Sequence, residues 1–267
     1  MSFSFLKRIG VWGLRPQRVQ GRALAFFLFS SSAFATPHVV SLFLCTDQLL
    51  VLLAPSQILA LSPLSRDPSL SVVSLEALKL PVVRADAEAV LALHPDLVLA
   101  GEYGARQVVG LVQDRGVRVV RVAEPTDFAG VAKEVAEVAG ALGVPARGAA
   151  LVARMRARLA AVAPTPRGRA VFWQARGFTA GPGSFGDAVL RAAGFVDAGT
   201  GGQMSVEALA THPPDVLITE AAPRYPSLAT DLVLHPALAF IPRRTVDPAL
   251  LACPGPWSVG AVEALAW

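Results

Sequence analysis

Cysteine is scarce in this sequence. Only Cys45 and Cys253 occur among 267 residues, and neither sits in a C-x-x-C spacing, the arrangement that zinc ribbons and dithiol oxidoreductases need. Charge is also sparse, at 16% of residues against 53% apolar. That balance excludes a disordered chain and indicates a packed core. The apolar run near the N-terminus, Ala23–Phe29, falls well short of the roughly 20 residues of a membrane-spanning helix. Acidic residues are missing altogether from the first 35 positions.

That acid-free stretch carries Lys7, Arg8, Arg15, Arg18 and Arg22, then the apolar run, then an A-x-A site at Ala33–Phe34–Ala35. The layout is that of a secretory signal peptide over residues 1–35, which predicts cleavage near Ala35 and a periplasmic destination. Its basic region is long, so a start codon downstream of Met1 is compatible with the pattern. The leader holds five of the 24 bases and none of the 20 acids, which leaves 19 bases against 20 acids afterwards. Nothing basic remains to recommend nucleic acid as a partner. Leu44 is too large a neighbour for lipid attachment at Cys45. Export places both cysteines in an oxidising compartment. A Cys45–Cys253 disulfide, two free thiols and a sulfur ligand to a metal stay open as alternatives.

Beyond the leader, short apolar runs alternate with helical patterns. Strands are predicted at His38–Leu44, Ile58–Leu61, Pro81–Val83, Asp96–Ala100 and Val117–Val122, with helices at Gln48–Leu53, Ala87–Leu93 and Arg106–Arg115. The stretch Phe128–Val162 reads as helical throughout, broken near Gly143-Val144-Pro145. The alternation then restarts: strands at Ala170–Trp173, Asp215–Thr219 and Thr245–Asp247, helices at Asp187–Ala193, Val206–Ala210, Pro226–Val233 and Ser258–Leu265. Strands alternating with helices imply mainly parallel sheets with helices on both faces.

One segment recurs. Glu88-Ala-Val-Leu-Ala-Leu-His-Pro-Asp-Leu-Val-Leu-Ala100 is echoed by Glu207-Ala-Leu-Ala-Thr-His-Pro-Pro-Asp-Val-Leu-Ile-Thr219, with Glu, Ala, Pro and Asp at equal offsets. Such an echo indicates a structural repeat. The simplest architecture is two Rossmann-like α/β lobes, residues 36–143 and 164–267, joined by one long helix over 144–163, with a ligand cleft between them.

Ligands of open α/β sheets sit beyond the carboxyl ends of the strands. That rule selects Cys45, Thr46 and Asp47 and the Gly101–Tyr103 loop in the first lobe. In the second it selects Gln174–Arg176, Gly181–Ser184 and Glu220–Arg224, with Cys253–Trp257 near the end. From these, the candidate ligand-binding residues are Cys45, Thr46, Asp47, Tyr103, Trp173, Arg176, Gly183, Ser184 and Trp257. The three aromatics offer flat apolar surface with a polar tip, suited to a bulky, partly polar ligand. Gly181–Gly186 matches G-x-G-x-x-G, but residues 174–180 separate it from the preceding strand and Asp197 comes too early, so no dinucleotide is expected. Ser184 lacks the G-x-S-x-G elbow. The four histidines, His38, His94, His212 and His235, are read as structural. No catalytic set and no protein-held metal or cofactor is predicted.

Taken together, Val40–Leu50, Glu88–Ala100, Ala180–Gly194 and Ser205–Thr219 resemble the helix-linked periplasmic binding proteins for cobalamin, ferric siderophores and haem, over roughly residues 38–267. The resemblance implies a monomeric solute carrier, not an enzyme, that captures a metal chelate in a shallow inter-lobe cleft and delivers it to an inner-membrane ABC permease dimer. It also implies that Glu88 and Glu207, one per lobe, dock onto permease arginines. Few arginines are placed for an anionic siderophore: Arg106, Arg176 and Arg224. A haem iron would find an oxygen ligand in Tyr103. The competing readings are an exported α/β hydrolase, which lacks a base within reach of a nucleophile, and a periplasmic sensor domain.

Overall fold

The computed structural model describes residues 37–162, 165–221 and 232–266. The signal-peptide reading of residues 1–35, Arg224 and most of the Pro226–Val233 helix lie outside them.

Among the described residues, eight strands form two sheets of four. The first contains β1 (Val39–Ser41), β2 (Ile58–Ala60), β3 (Leu97–Gly101) and β4 (Arg118–Val122), in the spatial order β2-β1-β3-β4. The second contains β5 (Arg169–Phe172), β6 (Val196–Asp197), β7 (Val216–Glu220) and β8 (Arg243–Val246), in the order β6-β5-β7-β8. Every pairing is parallel, and counted within each sheet the two orders are identical.

Helices α1 (Leu44–Leu53), α2 (Ser74–Ala77), α3 (Ala87–Ala92), α4 (Arg106–Asp114) and α5 (Phe128–Ala141) belong with the first sheet. After α6 (Pro145–Ala161), helices α7 (Phe185–Ala192), α8 (Val206–Thr211) and α9 (Val259–Ala266) accompany the second. Side-chain alternation explains why both faces are covered. Leu97 and Leu99 enter one core and Val98 the other. Phe172 and Ile218 divide from Val171 and Leu217 in the same way.

The sequence echo is a structural repeat. Glu88–Ala100 builds α3 and β3, Glu207–Thr219 builds α8 and β7, and β3 and β7 occupy the same slot of their sheets. Both helices are capped alike: Asp86 accepts from the Ala89 N–H and Ser205 from the Ala208 N–H. Each cap satisfies an orphan donor of a helix only six residues long.

Gly143, at φ +71°, ends the α5 segment where a side chain would be strained, and Pro145 starts α6 at a position where its missing N–H costs nothing. Val152 and Met155 of α6 lie in the first core, and Val162 just after it lies in the second. Arg158 donates to both oxygens of Glu263 on α9, at 2.8 and 2.6 Å. The C-terminal segment adds a second crossing: Cys253 and Trp257 return to the first core before α9 rejoins the second.

Several boundaries differ from the sequence reading. The apolar run from His38 does not stay extended to Leu44: the strand stops at Ser41 and α1 begins at Leu44. An apolar run carries no period that separates strand from buried helix. Pro81–Val83 makes only one bridge, Leu61 to Val82. The two-residue β6 was missed, being too short to show a pattern.

Candidate functional site

A cavity of about 500 Å³ lies at the carboxyl edge of the first sheet. Its walls come from the segments just after the strands: Leu42–Cys45 after β1, Ser62–Leu64 after β2, Arg84–Ala85 after the Leu61–Val82 bridge, and Glu124 after β4. Ala252 and Cys253, which follow the second sheet, close the remaining side. The lining is largely apolar, with one cation and one acid, Arg84 and Glu124, both exposed. Phe43 is held by its back: the ring is so near the Gly101 backbone that a Cβ there would lie 3.1 Å from it.

A second cavity, of about 460 Å³, opens at the carboxyl end of β5. Trp173, Arg176, Met204, Glu207 and His235 are among the residues around it. Arg176 occupies the left-handed region at φ +58°, a conformation that non-glycine residues adopt at a cost. The indole N–H of Trp173 is buried without a partner.

The sequence-selected residues therefore divide. Cys45 lines the first cavity, and Trp173 and Arg176 line the second. Thr46 and Asp47 have no exposed surface, because α1 starts earlier than expected and turns them inward. Thr46 exchanges a hydrogen bond with Ser41 at 2.8 Å and donates to the Phe43 carbonyl. Asp47 accepts from the N–H and hydroxyl of Ser62, which itself lines the cavity. Burial pushes the Asp47 carboxyl up to about 7, against the lowering pull of its serine hydrogen bonds. Trp257 packs in the first core, and its indole N–H donates to the Cys253 carbonyl. Its expected place on the pocket surface gives way to that packing. Tyr103 projects into solvent, 71% exposed, with the Arg106 guanidinium 5.8 Å from its ring centre.

Ser184 caps α7 by accepting from the Asp187 N–H, and Asp187 accepts in turn from the Gly183 N–H. Two glycines of this loop are needed for different reasons: a Cβ on Gly181 would lie 2.3 Å from Gly201, whereas Gly183 has open space around it and adopts the left-handed region at φ +82°. Glu88 and Glu207 are exposed in the first turns of α3 and α8. The Glu207 carboxyl is held below its usual range by its own backbone N–H and the Ser205 hydroxyl.

Sequence reasoning missed Phe43, Ser62, Leu64, Arg84 and Glu124. Ser62, Leu64, Arg84 and Glu124 follow the strands expected at Ile58–Leu61, Pro81–Val83 and Val117–Val122, so the carboxyl-end rule reaches them, and only Phe43 was hidden by the expected run of strand to Leu44. His235, read as structural, accepts from the Ala237 N–H and also borders the second cavity. Cys45 and Cys253 form a disulfide with Cα atoms 5.3 Å apart, which settles the three alternatives. Among the described residues, no group of three or more His, Cys, Asp or Glu side chains is placed to hold a metal.

Comparison with known proteins follows the same lines. A sequence profile described as periplasmic binding protein matches residues 39–242. A cobalamin-binding protein of Halobacterium salinarum is 33% identical over 162 residues, covering 55% of this chain, and the match spans only 44% of that relative's length. Among solved structures, a periplasmic heme-binding protein from Pseudomonas aeruginosa superposes with a TM-score of 0.70 at 27% identity, over 86% of this chain and 91% of that one. A periplasmic vitamin B12-binding protein of Vibrio cholerae shares the fold, with a TM-score of 0.62 at 17% identity, over 86% and 96% of the two chains.

Proposed function

The chain belongs to the periplasmic binding protein family, and from that premise we propose that it captures a metal tetrapyrrole, cobalamin or haem, in the periplasm and passes it unchanged to an ABC importer. The observation that carries this reading is the first cavity. It has the size of a small-molecule site, segments that follow both sheets contribute to its walls, and its surface is mostly apolar with one cation, Arg84, and one acid, Glu124, both exposed. A flat macrocycle with a few polar substituents matches that chemistry better than a ferric siderophore carrying several negative charges, which would want more than one cation.

Cobalamin is favoured by the 33% identical relative, haem by the 27% identical structure. Capture without turnover accords with membership of a family of binding proteins. Glu88 and Glu207, equivalent in the repeat, supply matching acidic contacts for a two-fold permease. The carrier is read as a monomer.

A tryptophan-fluorescence titration tests the reading. Cyanocobalamin, haemin and ferric hydroxamate, catecholate and citrate complexes are added to the chain from residue 36 onward, with correction for ligand absorbance. Saturable quenching by cyanocobalamin or haemin alone is expected. Quenching by the ferric chelates alone would replace the tetrapyrrole with a siderophore, and no quenching by any of the five would remove the chelate-carrier reading.

A further inference from the structure

The second lobe is not closed on itself. After β8 the chain turns through Pro248–Leu250 and then runs as Cys253-Pro254-Gly255-Pro256-Trp257-Ser258 into the core of the first lobe. Cys253 and Trp257 pack there with Leu44, Cys45, Val131 and Val135, and α9 then returns to the second core through Ala261, Val262 and Leu265. Every residue from Cys253 to Val259 is buried.

This strap is stiff by construction. Two prolines fix its backbone. The Trp257 indole N–H donates to the Cys253 carbonyl at 2.9 Å, and the Gly255 N–H donates to the Ser258 hydroxyl at 3.1 Å. The Trp257 ring lies directly on Gly255, where a Cβ would fall 2.3 Å from it. The disulfide then ties the strap to the first turn of α1, joining residues 208 positions apart. Both cysteines line the first cavity, Cys45 on the wall that continues from Phe43 and Cys253 on the wall that continues from Ala252.

We propose that the Cys45–Cys253 bridge is a positioning element of the ligand site, fixing the Ala252–Cys253 wall against the Phe43–Cys45 wall so that the solute meets a preformed slot. The inference rests on the reading that this cavity holds the solute. Without the bridge, Trp257 still anchors the strap by packing, but the wall next to the ligand is free to move away from α1. A preformed slot shows itself in residence time more than in encounter rate, since docking geometry sets the on-rate and retention sets the off-rate. A purely structural bridge would change thermal stability and leave binding at 25 °C alone.

The test compares the oxidised protein with Cys45→Ser/Cys253→Ser and with wild-type protein folded first, then reduced with a phosphine and alkylated, in case the double variant fails to fold. Stopped-flow and chase measurements with cyanocobalamin and with haemin give on- and off-rates, and hydrogen exchange on the ligand-free proteins reports residues 252–258. The expected result is an off-rate raised by about tenfold, an on-rate changed by less than about threefold, and faster exchange across the strap. A lowered melting temperature with unchanged off-rate, or unchanged exchange at 252–258, overturns the proposal. Failure of the oxidised wild type to bind either probe counts against the carrier reading, whereas the exchange experiment judges wall positioning without any ligand.

Discussion

The carboxylate of Asp47 and the backbone and hydroxyl of Ser62 meet in a fully buried pair of hydrogen bonds, N–H to Oδ1 at 3.1 Å and Oγ–H to Oδ2 at 2.5 Å. One end of this pair is the first turn of α1 and the other is the wall of the first cavity. Asp47 thus acts on the site through Ser62, by fixing where the Ser62–Leu64 segment stands.

A pH dependence follows. Burial raises the Asp47 carboxyl from 3.8 to about 7, so the folded state holds a proton that the unfolded chain has lost. Stability is greatest below about pH 4, falls as pH rises towards 7, and is level above it with respect to this group. Glu134 behaves alike: both its oxygens are buried without partners, and burial first, then the charges of Glu124 and Glu137, raise it to about 8. Urea unfolding at pH 5 and pH 8 is expected to show the wild type less stable at pH 8, by an amount on the order of a few kcal/mol. Asp47→Asn and Glu134→Gln should each flatten part of that slope, and the double variant most of it. An unchanged slope in the double variant would mean that neither carboxyl is the source.

Docking gives a second expectation. Glu88 and Glu207 are exposed and equivalent in the repeat. Glu88→Arg with Glu207→Arg should therefore leave the melting temperature and ligand affinity within error while uptake by whole cells is lost. Ordinary surface glutamates contribute little to stability, so a folding defect is not expected. Normal uptake would remove the docking assignment.

How much of this was readable beforehand depends on the scale of the signal. The two-lobed α/β plan was legible because the echo of Glu88–Ala100 in Glu207–Thr219 survives in both spacing and residue type, and it maps onto β3 and β7 in equal slots. The long helix was legible because α6 is continuous and free of glycine except Gly148, whose missing side chain admits Ala139 at close range. The cavity wall at Phe43 was not. Leu42 to Leu44 look like more strand, and only the turn at Phe43, with its extended backbone, sends the chain into α1. Trp257 was misplaced for a related reason. A loop aromatic usually faces a pocket or solvent, but here a long-range disulfide draws its segment into a core built by residues some two hundred positions earlier, and local sequence carries no mark of that.

Arg84 separates the two ligand classes. It is the one cation that lines the first cavity, and it is exposed. Haemin carries two carboxylates, and a charge-assisted contact to one of them is worth roughly 1.5–3 kcal/mol. Arg84→Ala should then weaken haemin binding by roughly tenfold to a hundredfold and leave cyanocobalamin, which carries amides and one phosphodiester but no carboxylate, within about threefold. Equal losses for both ligands would show that Arg84 acts by shape and not by charge.

Gly255 tests the strap at a single atom. The Trp257 ring rests on the glycine backbone, with Cζ2, Cε2 and Cη2 all within 2.5 Å of where a Cβ would stand. The backbone there is extended, φ −168°, so alanine is conformationally permitted and the obstacle is purely steric. Gly255→Ala must push the indole off the strap, which breaks its hydrogen bond to the Cys253 carbonyl and disturbs the first core around Leu44 and Val135. Overpacking of this kind costs typically 1–3 kcal/mol, with the orphaned indole N–H and Cys253 carbonyl adding to it. The melting temperature should drop by several degrees, and Trp257 emission should shift to the red as the ring gains water. A variant with unaltered melting and emission would show that the strap tolerates displacement, and the claim that Trp257 packing holds it in place would fall.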